Sequence, residues 1–136
     1  MGPEEDLLGQ VKRGLKQVSA PIYYDGKPHK AEFPQVIIDL QNYQDQPRDF
    51  KAVEQTKLTV SVDVYARPDQ LGERLNISNQ VRNVMEHVRC AKWWSDFDSY
   101  SARTLDDELG GDSLKRVAFL FDFITYGVAI KKGGNS

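Results

Sequence analysis

Cysteine is nearly absent from this chain. Cys90 is the single thiol in 136 residues, so no internal disulfide can staple the fold. It closes an apolar helical stripe and reads as a buried core cysteine. Histidine is also scarce. His29 and His87 stand far apart in sequence with no cysteine pair beside them, whereas zinc ligation normally wants four ligands at recognisable spacing. His87 reads as a partly exposed structural histidine, and His29, after Pro28, as a solvent-facing turn residue. No apolar run reaches membrane-spanning length. The opening residues Met1-Gly2-Pro3-Glu4-Glu5-Asp6 are acidic and give no signal-peptide n-region. There is no excess of either charge: 18 basic and 20 acidic residues leave a net charge of -2, whereas a dedicated nucleic-acid binder shows a basic surplus. Gly-x-Ser-x-Gly, P-loop and Gly-x-Gly-x-x-Gly motifs are missing. The simplest setting these absences leave is a reducing cytoplasm.

What the chain does have is a core of ordinary size. Hydrophobic residues make up 40% and charged residues 28%, the balance of a water-exposed globular domain. Residues 57–65, Lys-Leu-Thr-Val-Ser-Val-Asp-Val-Tyr, alternate apolar and polar with period two, the mark of a strand with one buried face. Pro68 then breaks the strand, and an amphipathic helix is expected over residues 69–90 with Asp69 as N-cap. Its stripe is Leu71, Leu75, Val81, Val84, Met85 and Val88, with Ser78 filling the gap. Asn76-Ile77-Ser78 matches a glycosylation sequon by letter but falls inside this helix.

Before that stretch, Leu7, Leu8, Val11, Leu15 and Val18 recur at helical spacing. The spacing predicts a helix over residues 4–17, weakened by Gly9 and Gly14. Residues 21–24 and 32–40 read as strands, and Asp25-Gly26 between them as a turn, together forming a hairpin. Residues 41–50 are a polar loop, either a binding loop or a solvated connection. A strand over 52–66 follows it. After the long helix, Trp93-Trp94 reads as one ring in the core and one outside. Part of 97–105 reads as strand, Gly110-Gly111-Asp112 as a turn in a polar connector, and 114–128 as a last strand that is apolar on both faces at its centre. Residues 131–136 read as a flexible tail. The expected fold is α+β: one domain over residues 1–136, ordered from 4 to 130, with a mixed, mostly antiparallel sheet and helices on one face.

The acidic groups Asp96/Asp98 and Asp106-Asp107-Glu108 have the composition for acid–base work or a magnesium site. With no nucleophile or phosphate loop beside them, they read as solvated charge runs. The spacing from Asp106 to Asp112 does not match an EF-hand.

The element order resembles the tail terminator (tail-completion) proteins of long-tailed phages and prophages of Gram-positive hosts. The residues that carry the likeness are Phe33-Pro34-Gln35-Val36-Ile37-Ile38, then Thr59-Val60-Ser61-Val62-Asp63-Val64-Tyr65, then the helix from Asp69 through Met85. The resemblance implies a non-enzymatic structural subunit without cofactor. It implies a homo-oligomeric ring, often hexameric, that sits on the last ring of the tail tube, ends tube growth and offers the head a surface. The partners implied are the tail tube protein and head–tail connector proteins, with no membrane and no direct nucleic-acid recognition. The location implied is the host cytoplasm during assembly, then the virion tail. A head–tail connector of the same particle is the alternative, and a small enzyme the third reading.

A ring subunit needs two different complementary faces. Length and polarity nominate Tyr43, Arg48, Phe50, Lys51 and Glu54, on the polar loop and the start of the long strand, as one assembly surface. Asp106, Asp107 and Glu108 on the connector are the second.

Overall fold

The computed structural model describes residues 2–45 and 55–129. Seven elements follow in order: α1 (Pro3–Leu15), β1 (Ile22–Tyr23), β2 (Gln35–Asp45), β3 (Gln55–Ala66), α2 (Leu71–Met85), β4 (Trp93–Leu109) and β5 (Asp112–Ala129). The strands form one sheet in the order β1-β2-β3-β5-β4. Only β1–β2 is parallel; the other three pairings are antiparallel. The expected α+β architecture with a mixed sheet is therefore the observed one.

The alternation in β3 does what period two requires. Leu58, Val60, Val62 and Val64 are fully buried on one face. They meet Leu7, Val11 and Leu15 of α1, Ile77, Val81 and Met85 of α2, and Val117, Phe119, Phe121 and Phe123 of β5 in one core. Both helices thus cover the same side of the sheet. The two helices approach closely at Gly14, where a Cβ would stand 2.9 Å from Val84 Cγ1. That glycine buys close packing; it is more than a weak point in α1.

Asp6 joins the helix layer to the sheet. Its carboxylate, 3% exposed, accepts hydrogen bonds from the backbone N–H groups of Ala91 (2.9 Å), Lys92 (2.7 Å) and Trp93 (3.2 Å). The start of β4 is thereby tied to the first turn of α1. Trp93 packs on the core and Trp94 is exposed, one ring in and one out. Cys90 is buried, and burial pushes its thiol up to about 11.

Several expectations are corrected. Residues 21–24 and 32–40 do not form a hairpin. β1 runs parallel to β2, with Ile22 opposite Val36. The connection is long enough to double back, and the buried side chain of Gln35 holds it there. Its Oε1 accepts from His29 N (2.7 Å), and its Nε2 donates to the carbonyls of His29 (3.0 Å) and Glu32 (3.1 Å). The His29 ring stacks on Tyr23 at 3.9 Å, and its Nε2 meets the Asp25 carboxylate. The polar run from 41 does not begin a loop, because β2 continues through Asp45. Residues 46–54, the rest of that loop and the start of the expected strand, lie outside the described residues, as does the expected tail.

α2 begins at Leu71 with Gln70, not Asp69, at its N-cap. The Gln70 side chain is used elsewhere, accepting from Arg67 N (2.8 Å) and donating to Phe33 O (3.0 Å). Leu71 and Leu75 do not belong to the buried stripe: each is 53% exposed, and Ile77 takes the inward position. β5 is covered on one face only. Phe119, Phe121 and Phe123 are buried, while Leu120 between them is 40% exposed on the face without helices. Residues 106–112 are no polar connector either. They form the tip of a long β4–β5 hairpin that turns at Gly110 (φ 58°) and Gly111 (φ 88°). Two successive positive φ values match the right-handed twist of the strands, and glycine reaches them without strain.

Candidate assembly surface

The sheet has two unlike faces and two unlike edges, and the candidate residues are best placed on that frame. One face carries the helices. The other is mixed: Lys57, Thr59, Ser61 and Asp63 of β3 stand opposite Ile124, Asp122, Leu120 and Ala118 of β5. Thr59 donates to Asp122 Oδ1 at 2.7 Å, and Lys57 Nζ stands 3.4 Å from Asp122 Oδ2. At the hairpin end this face gathers a small apolar cluster of Ile37, Tyr65 and Leu114, lined by Tyr23, Phe33 and Leu109.

Arg116 organises the charges beside that cluster. Its NH2 lies 3.3 Å from Asp63 Oδ2, its NH1 3.7 Å from Asp107 Oδ2, and its guanidinium 5.8 Å from the Tyr65 ring centroid. Burial raises the Asp63 carboxyl above the usual range, against the opposing pull of Arg116. Burial also pushes the Tyr65 hydroxyl up to about 12, with Arg116 opposing and Asp63 and Asp107 reinforcing. Burial alone would lower Arg116, but Asp63, Tyr65 and Asp107 outweigh it and raise the group. This is a structural charge network: each group's shift comes from its neighbours and its burial.

Within this frame the acidic candidates divide. Asp106 is exposed and ion-paired with Lys115 directly across the hairpin, which holds its carboxyl below the usual range. Asp107 is half-buried and turned into the Arg116 network, with Oδ1 accepting from Glu108 N at 2.8 Å. Glu108 is exposed. Asp106 and Glu108 therefore face solvent at the hairpin tip, while Asp107 serves the fold.

Tyr43 sits opposite Leu58 in β2. The row through Tyr43, Leu58 and Phe123 lies toward the far end of the sheet from the tip at Leu109 and Asp112. The structure does not bring Tyr43 together with Asp106, Asp107 and Glu108. Arg48, Phe50, Lys51 and Glu54 lie outside the described residues.

Nothing among the described side chains converges as a reaction centre would require. No three His, Cys, Asp or Glu residues among them are grouped to hold a metal. Asp96 accepts a hydrogen bond from the Tyr126 hydroxyl (3.1 Å), and His87 Nδ1 lies 2.7 Å from Asn83 O. What sequence reasoning missed is the extent of β4, of which only part of 97–105 reads as strand. β4 is a 17-residue edge strand, exposed on both faces from Asp98 through Thr104. Ser99-Tyr100-Ser101-Ala102-Arg103-Thr104 has no continuous apolar face, so its period-two signal is faint. Its strand character comes from pairing with β5.

No family model matches the chain, and no curated protein matches it. Among solved structures, a chain of the virion of the native gene transfer agent particle is similar in fold. The TM-score is 0.61 at 10% identity, covering 91% of this chain and 97% of that one.

Proposed function

We propose that this chain is a structural subunit of a phage-like particle that forms a ring at the end of the tail tube, ends tube growth and presents the surface to which the head joins. One observation carries the reading: the fold likeness to a chain of a gene transfer agent virion, which spans nearly the whole of both chains. The element order and the phrasing of β2, β3 and α2 support the finer role. An open sheet edge beside a sheet face that mixes polar and apolar residues suits a protein whose work is contact with other subunits. No helix among the described residues is long and apolar enough to cross a membrane. The subunit acts without catalysis or cofactor, first in the host cytoplasm and then in the virion.

The test is direct. Purified protein is mixed with tail tubes and viewed by negative-stain electron microscopy, with light scattering on the protein alone. Rings in solution or caps on tube ends are expected. A strict monomer that never caps tubes refutes the proposal. A pull-down that retains portal and head-side proteins but no tube protein moves the chain to a head–tail connector.

A further inference from the structure

We propose that neighbouring copies join edge to edge, β4 of one copy pairing with the outer edge of β2 in the next, so that the sheet continues from subunit to subunit. This rests on the ring reading and specifies its contact.

β4 ends the sheet on one side. Its pairing with β5 is regular and free of bulges over residues 99–109, and its other edge carries no strand among the described residues. Natural edges are usually shortened, bulged or charged against such pairing. Here both register shifts lie before Ser99, and Arg103 is the one charged residue from Ser99 through Leu105. The opposite edge is open too. β1 pairs with β2 only at Val36 and Ile37, so β2 from Ile38 to Asp45, with one register shift between Leu40 and Asn42, has no outer strand among the described residues.

Strand polarity makes these two edges compatible. β2 is antiparallel to β3, β3 to β5, and β5 to β4, so β4 runs opposite to β2. A second copy in the same orientation lays its β2 antiparallel beside β4 and keeps its helices on the same face. Antiparallel pairing of this kind needs no crossover. Charge agrees. Asp39 pairs in register with Ser61, Ser61 with Leu120, and Leu120 with Ser101, two residues from Arg103. Exposed Asp39 on one edge and exposed Arg103 on the other therefore share the face without helices. Because the two edges differ, the contact is head-to-tail, the kind that closes a ring.

Along an antiparallel edge strand, successive N–H groups alternate between β5 and the open side. Of Ser101→Pro and Ala102→Pro, one therefore removes an outward N–H and leaves the β5 ladder intact. That variant should keep the wild-type circular dichroism and melting temperature, yet need at least about tenfold more protein to assemble. In a second arm, Ser101→Cys and Asp39→Cys proteins are mixed and treated with a bis-maleimide; Cys90 is buried and does not compete. Mixed dimers are expected. Self-linked Ser101→Cys dimers would mean β4 pairs with β4 and overturn the proposal. If wild type caps tubes and the folded proline variants cap them equally well, the edge contact is wrong and the ring reading stands. If wild type never assembles, both fall.

Discussion

Replacing Asp6 with alanine should cost about 3 kcal/mol of folding stability. The carboxylate is almost fully buried and accepts three backbone N–H groups, from Ala91, Lys92 and Trp93. Hydrogen bonds to a charged acceptor contribute roughly 1.5–3 kcal/mol each. Three on one carboxylate do not add fully, and Ala91 and Lys92 are exposed enough for water to recover part of the loss. About 3 kcal/mol is what remains, a large share of the 5–15 kcal/mol typical of a domain. Asp6→Asn should do little better, because its amide NH2 would point a donor at donors. Urea unfolding measures the loss, and hydrogen exchange at Ala91, Lys92 and Trp93 localises it. An Asp6→Ala protein within about 0.5 kcal/mol of wild type would show that the clamp does not tie α1 to the start of β4.

The remaining predictions concern the core, the helix contact and one titrating group. Val62 is fully buried in β3, so Val62→Asp should lose roughly 4 kcal/mol or more and leave little soluble folded protein, read by circular dichroism after expression. Gly9→Ala should gain about 0.5–1 kcal/mol in urea unfolding, since a Cβ there meets nothing within 4 Å, whereas Gly14→Ala should show no such gain because its Cβ meets Val84. The Asp63 carboxyl is raised by burial, so between the ordinary and the raised value the folded state binds more protons than the unfolded chain. Wild-type stability should therefore rise relative to Asp63→Asn as pH falls through the window between the raised folded value and the ordinary value of about 4. A relative fall over that window would mean that Arg116 outweighs burial.

How much of this was legible depends on where the information for each element lies. β3 is readable because apolar and polar residues alternate from Leu58 through Val64, although Ser61 and Asp63 on the second face are buried as well. α1 was readable for the matching helical reason. The α2 stripe was misread at its start because spacing shows which residues share a face but not how far the neighbouring layer extends. Leu71 and Leu75 sit at compatible positions yet lie beyond the cover of the core, and Ile77 was hidden inside a sequon match. β1 failed for a different reason. An Asp-Gly pair marks a change of direction, but the parallel return is set by Gln35, whose side chain binds backbone groups of the preceding loop. The hairpin tip reads as a loop in the sequence because Asp106, Asp107 and Glu108 are poor strand formers; they are held in strand by two glycines at positive φ and by cross-strand partners such as Lys115 and Leu114. The assembly surface follows the same logic. Tyr43 and the hairpin acids were nominated by polarity, a property of residues. The edge of β4 is a property of the sheet, since its open hydrogen-bonding groups exist only once β5 has taken the other side. The proposed edge contact is carried by backbone groups, which leave almost no residue signature in the sequence.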